Sequence, residues 1–287
     1  MKSRHSTPYG KLKLYRPNLD ENRERVMVVA GYSESLTHTR TLVDTLSRTG
    51  YDAFTYTTPR RRGKTGLTDP IARQGDIVLR VLDIATKETE KVHAVAHSLG
   101  CAAVLYAAMQ APERFVSITL MQPLGMVGEQ TFGELLKRVG KKVSRNTLGA
   151  MRGQHLTHDI QADSSTPLDK ETKLRYSMRV ARSQLAGAGV LAKHPRLAIQ
   201  EARASGKYDI SEGIKEVVKA GVPVHLVTAH GDEMFDRHKV EAGYEIITDH
   251  ITSHNPLSDT SASHDTFWLH PERSAFIISK IVQHPEL

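Results

Sequence analysis

Three residue types, met in the chain order Ser98, Asp232 and His264, could together perform nucleophilic chemistry on a carbonyl. A serine hydroxyl is a weak nucleophile at neutral pH. It needs a base to take its proton and a carboxylate to orient that base and stabilise its charged form. Ser98 follows a short apolar run, Val92 to Ala96, and precedes a run of small and apolar residues, Cys101 to Met109. A strand, a tight turn and a helix in that order hold a hydroxyl at the tip of a strained corner. The residues two before and two after must be small, because strand and helix pass close together there; they are Ala96 and Gly100. In the G-x-S-x-G form of this pattern Ala96 takes the place of the first glycine and adds one methyl. An ordinary strand-to-helix turn with Ser98 as a helix N-cap would share much of this sequence.

The acid is expected just past a strand that follows a helical interval. Val222 to Thr228 reads as that strand, and Asp232 lies four residues beyond it, with Glu233 and Asp236 as close competitors. The base is expected in a loop before the last helix. Ser261 to Trp268 fits, and His264 stands in it with small neighbours before and Asp-x-Phe after. The chain has 15 histidines, so proximity alone singles out none; His250, His254 and His270 are the near rivals. A tetrahedral oxyanion also needs two backbone N–H donors. Leu99, directly after the serine, is one candidate, and Tyr32, just past Gly31 in the loop after the first central strand, is the other.

These residues need a scaffold, and the spacing of apolar residues supplies one. Arg25–Ala30, Tyr51–Thr57, Val92–Ala96, Phe115–Met121, Val222–Thr228 and Tyr244–Thr248 read as strands. Leu42–Arg48, Ile71–Lys87, Cys101–Met109, Ile214–Ala220 and Arg273–Val282 read as helices. Short apolar strands alternating with helices imply an α/β fold with a doubly wound, mostly parallel sheet. The alternation stops near Pro123. From Gly125 to about Lys207 the pattern is helical, with stripes such as Phe132, Leu135, Leu136, Val139 and Val143. The expected organisation is a core of residues 1–124 and 211–287 interrupted by a helical cap over 125–210.

Composition narrows the function classes. A chain of 287 residues can bury a large core. No run of 18 apolar residues suggests a transmembrane helix. Met1 to Leu12 is basic and polar without an apolar stretch, so no secretory signal is expected and a cytoplasmic location is. A single cysteine, Cys101, allows no internal disulfide and reads as a small core residue. The net charge of +7 is local: residues 125–207 hold 15 Lys and Arg against 7 Asp and Glu. That excess reads as solvated helix faces, with acidic substrates or an anionic surface as the alternative, and it lacks the aromatic interleaving of single-strand nucleic-acid binders, so no nucleic-acid partner is expected. His155 and His158 have no third ligand in view, so no metal is expected. Arg60 to Arg62 reads as a solvated loop, with an anion clamp near the site mouth as the alternative, and the chain has no G-x-G-x-x-G or P-loop, so no cofactor is expected.

Over residues 25–287 the chain resembles the α/β-hydrolase superfamily in its capped, esterase- and lipase-like branch. The resemblance rests on Ala30-Gly31-Tyr32, Ala96-His97-Ser98-Leu99-Gly100, the Asp232 loop and Ser263-His264-Asp265-Thr266-Phe267. It implies that these are the oxyanion loop, the nucleophile, the acid and the base of an esterase acting on a small-molecule ester. The chain departs from the family at Ala30, where histidine is common, and in Pro59 to Thr65, which matches the family's Asp-x-x-Gly-x-Gly-x-Ser pattern only loosely. The same residues could serve an acyltransferase, since His264 to Phe267 loosely resembles the homoserine acetyltransferase branch. They could also serve a haloperoxidase-like enzyme or a C–C bond hydrolase. A binding protein without activity would have no need of Ser, Asp and His in this order.

Overall fold

The structure is a computed structural model. It describes residues 2–31, 34, 36–57, 69–126, 133–134, 137–138, 178, 189, 193, 195–205, 208–229, 232, 237–257, 264 and 266–286. Eight strands form one sheet: β1 (Lys2–Thr7), β2 (Gly10–Tyr15), β3 (Arg25–Val29), β4 (Asp52–Thr57), β5 (Val92–His97), β6 (Phe115–Met121), β7 (Val224–Ala229) and β8 (Ser253–Leu257). Their order is β1-β2-β4-β3-β5-β6-β7-β8. β1 and β2 form an antiparallel hairpin, and β2 pairs antiparallel with β4. Every other pairing is parallel. The doubly wound, mostly parallel sheet read from the sequence is therefore the architecture of the described residues.

The helices among the described residues are α1 (Leu36–Arg48), α2 (Pro70–Ala85), α3 (Leu99–Gln110), α4 (Pro195–Ser205), α5 (Ser211–Lys219), α6 (Arg237–Ile247), α7 (Thr266–Leu269) and α8 (Pro271–Gln283). α2 begins where the sequence tells it to: Asp69 accepts a hydrogen bond from Ile71 N at 2.8 Å, and Pro70 takes the first helical position. Ile77, Val81 and Leu82 of α2, Val104 and Leu105 of α3, and Ile214 and Val217 of α5 pack on one face of the sheet. Leu42, Val43 and Leu46 of α1 and Ile278, Ile281 and Val282 of α8 pack on the other. β5 is covered on both faces, which is why all six of its residues, His93 and His97 included, are buried. No helix among the described residues is long and apolar enough to cross a membrane.

Two features differ from the sequence reading. The hairpin β1–β2 was not among the expected strands. Tyr244–Thr248, expected as a strand, lies mostly in helix α6. Its Ile246 points to solvent while Ile247 is buried, and Gly243, four residues before Ile247, backs so closely on Met126 that a Cβ there would meet the Met126 carbonyl oxygen at 1.8 Å. A run of β-branched and aromatic residues this short fits either period. The last strand is instead β8, whose Pro256 is tolerated because β8 is an edge strand pairing only with β7. Most of 125–207, including His155 and His158, lies outside the described residues, as does the Arg60–Arg62 loop; within that interval α4 is a helix.

Candidate active site

The chain runs from β3 to β4 on one side of β3 and later returns to β5 on the other. The crevice at the carboxyl ends of two such strands is where open α/β sheets bind ligands. Ala30-Gly31 leave β3 there, and Ser98 leaves β5 beside them.

Ser98 has φ 51° and ψ −120°, and its side chain makes no capping hydrogen bond to α3. A helix N-cap has extended backbone and an accepting side chain, so the capping reading does not describe this residue. A positive φ on a non-glycine residue costs about 1–3 kcal/mol and persists only where surrounding structure enforces it. Here Ser98 N donates to Met121 O at 3.1 Å, and Cys101 N donates to Ser98 O at 3.1 Å. The turn is also wedged. A Cβ on Gly100 would sit 2.7 Å from Ala30 O, and one on Gly31 would sit 2.9 Å from both His97 O and Ser98 Cβ. Ala96 faces the core cluster, where its methyl fits. Cys101 is buried beneath the turn, its thiol pushed well up by burial, so it behaves as the core residue expected.

Asp232 N donates to Ala229 O at 3.2 Å, which folds the chain back just past β7. Asp232 Oδ2 then lies 2.8 Å from His264 Nδ1, and both side chains are more than nine-tenths buried. Among the histidine rivals, His254 sits on β8 with its Nε2 2.8 Å from Thr228 Oγ1 and its ring 4.2 Å from that of Tyr244. His250 follows α6, and His270 caps α8. The His264 ring lies 4.8 Å from the ring of His97, the residue directly before Ser98, and His264 O accepts from His97 Nε2 at 2.9 Å. The structure therefore brings Asp232, His264 and the Ser98 turn to one place. Leu99, one expected amide donor, follows Ser98, and its side chain joins an apolar cluster with Ile71, Ala102 and Leu124. Tyr32, Glu233 and Asp236 lie outside the described residues. Among those residues, no group of three His, Cys, Asp or Glu is placed to hold a metal ion.

Several polar residues at this site were not anticipated. Glu34 is buried next to Gly31, His97 and Trp268, and Gln122 lies 3.2 Å from His97 Nε2. Gln122 and Ser98 are the two non-glycine residues of positive φ among the described residues, and both flank His97 in space. Glu34 and His97 occupy positions that their motifs leave open, and their partners are distant in sequence.

No family model and no curated relative matches the sequence. Solved structures do match. An enol-lactonase from Burkholderia xenovorans LB400 superposes with a TM-score of 0.67 at 13% identity, covering 98% of this chain and 100% of that one. Carboxylesterase structures from the thaumarchaeon Nitrososphaera gargenis give 0.64 at 14% identity, covering 99% and 100%. A bromoperoxidase from Bacillus anthracis gives 0.64 at 11% identity, covering 99% and 100%. The chain has the α/β-hydrolase fold. Ser98 follows β5, Asp232 follows β7 and His264 follows β8, so all three come after the carboxyl ends of parallel strands.

Proposed function

We propose that the chain is a serine hydrolase that cleaves carboxylic esters through an acyl-Ser98 intermediate. The observation that carries this reading is the buried 2.8 Å contact between His264 Nδ1 and Asp232 Oδ2 beside a serine held at φ 51°. With Nδ1 facing a carboxylate, Nε2 is the nitrogen that acts as base in this reading. In the proposed first step, Ser98 Oγ attacks the ester carbonyl and its proton passes to His264. The tetrahedral oxyanion forms against the Leu99 amide and, in this reading, the Tyr32 amide. His264 then returns the proton to the departing alkoxide, leaving the acyl group on Ser98. Water repeats the cycle in reverse roles: His264 takes its proton, and the acid leaves as Ser98 is reprotonated. Asp232 keeps the imidazole oriented and offsets its transient charge without itself taking the proton.

The activities named for fold neighbours, which include carboxylesterases and an enol-lactonase, favour ester and lactone carbonyls. The interval 125–210 is proposed as a cap that closes the crevice and selects the acyl group. The test is intact mass after exposure to a fluorophosphonate. One adduct is expected on the wild type and none on Ser98→Ala, with ester turnover lost in parallel. Asp232→Asn should label more slowly and lower kcat by about three to four orders of magnitude. An adduct that persists in Ser98→Ala would overturn the reading.

A further inference from the structure

A second buried charged arrangement adjoins Ser98 that the proposed reaction does not use. Glu34 receives the Gly31 amide, His97 Nδ1 at 2.7 Å and Trp268 Nε1 at 2.6 Å. Its own amide donates back to Gly31 O at 3.4 Å. The side chain of Glu34 is nearly buried and that of His97 fully so. Burial alone would raise the Glu34 carboxyl. The His97 charge and hydrogen bond, the His38 charge and the Trp268 hydrogen bond together outweigh burial, and the carboxyl is held below the usual carboxylate range.

The charge on His97 follows from its surroundings. Nδ1 faces a carboxylate oxygen and Nε2 faces a backbone carbonyl, that of His264, at 2.9 Å. With Glu34 ionised neither oxygen donates, so both ring nitrogens do, and a ring that donates twice is an imidazolium. Phe267 stacks on this ring at 5.2 Å and Trp268 meets it edge-on at 5.1 Å, which fixes its plane. Four segments thus converge: the Gly31 loop, the residue before Ser98, the backbone of His264 and helix α7.

We infer that Glu34 and His97 are positioning residues for the reaction at Ser98, an ion pair that locks the Gly31 loop and the His264 backbone into one register around the nucleophile. The inference rests on the reading of Ser98, His264 and the Gly31 loop given above. The pair acts through the Gly31 amide and the His264 carbonyl, which its hydrogen bonds reach. It sets where Gly31 and the His264 backbone stand when the oxyanion forms, and a displacement of about 1 Å in such groups can cost a hundredfold in rate. A buried ion pair is a poor source of net stability but an effective way to specify one arrangement.

The test is steady-state hydrolysis of 4-nitrophenyl acetate together with the rate of fluorophosphonate labelling. Glu34→Gln should lower kcat by about a hundredfold or more, change KM by less than about threefold and slow labelling in proportion. His97→Asn keeps a nitrogen near the Nδ1 position but cannot reach the His264 carbonyl; it should lower kcat at least about tenfold, and it decides the question if Glu34→Gln does not fold. Because the two act as a unit, the double variant should lose no more than the worse single one. Variants with wild-type kcat and labelling, or losses that multiply in the double variant, overturn this inference alone. A wild type that neither turns over the ester nor takes the label overturns the proposed function, and this inference with it.

Discussion

Ser98 shows what a single backbone torsion can do. Its φ of 51° turns the chain from β5 into α3 within one residue, and the turn closes only because no side chain stands at Gly100. Gly100→Ala places a methyl 2.7 Å from Ala30 O and 3.0 Å from Val29 O, both backbone atoms that cannot rotate away. The elbow or the Gly31 loop must move. The expected outcome is a loss of about a hundredfold in kcat/KM with a stability cost of about 1–3 kcal/mol, read by ester kinetics and urea denaturation. Wild-type kcat/KM would show that the close approach is not needed. At this scale the serine corner was legible, because the small-residue requirement is written within five consecutive positions. The pairing of His264 with Asp232 could be anticipated from chain order, but not its burial. Glu34, His97, Gln122 and Trp268 were not legible, because their contacts span up to 234 positions of sequence and none has a fixed spacing to mark it.

Among the elements, those buried on both faces were readable and those half exposed were less so. β6, expected over Phe115–Met121, has those bounds in the structure, since a short run rich in apolar and β-branched residues between Arg114 and Gln122 has few alternatives. The β1–β2 hairpin carried a weaker mark: in Lys11-Leu12-Lys13-Leu14, the two leucines are buried and the two lysines exposed. That period-two alternation is short and lies in a basic terminal segment that invites being passed over. α6 was misread because the apolar run around Ile247 is too brief to show its period. The contact between α2 and α3 offers a test at this scale. Gly75 faces Tyr106, and a Cβ there would meet Tyr106 Cδ1 at 2.4 Å and its Cβ and Cγ at 3.0 Å. Helix propensity favours alanine over glycine by about 1 kcal/mol. Overpacking of this kind costs about 1–3 kcal/mol, so Gly75→Ala should be net destabilising. Combining it with Tyr106→Ala should recover the propensity gain. Urea midpoints of the four proteins decide it, and a more stable Gly75→Ala single variant would show that Tyr106 swings away without cost.

Across the whole molecule, the sheet face toward α1 and α8 contains a polar stripe under an otherwise apolar cover. His93 on β5 pairs through Nδ1 with Ser117 Oγ on β6 at 2.8 Å, and His225 on β7 pairs through Nδ1 with Ser253 Oγ on β8 at 2.8 Å. Burial lowers both imidazoles, and for His225 the result is about 4. Each is therefore neutral in the folded state at a pH where the unfolded chain would begin to take a proton. The sign follows: a histidine whose folded pKa is depressed contributes stability that is complete above about pH 6.5 and is lost as the pH falls toward its folded value. For His225 the window is about pH 6.5 to 4, and a depression of that size amounts to about 3 kcal/mol, a large share of the 5–15 kcal/mol that holds a typical domain together. His225→Asn keeps a donor near Ser253 and removes the titration. Urea denaturation from pH 8 to 4.5 should show wild-type stability falling through this window, with the variant less stable near neutral pH but falling less steeply, by close to one proton. Equal slopes in the two proteins would locate the acid sensitivity elsewhere. His93, with Glu24 3.1 Å from its Nε2, should contribute a smaller share, because that carboxylate partly offsets the cost of charging it.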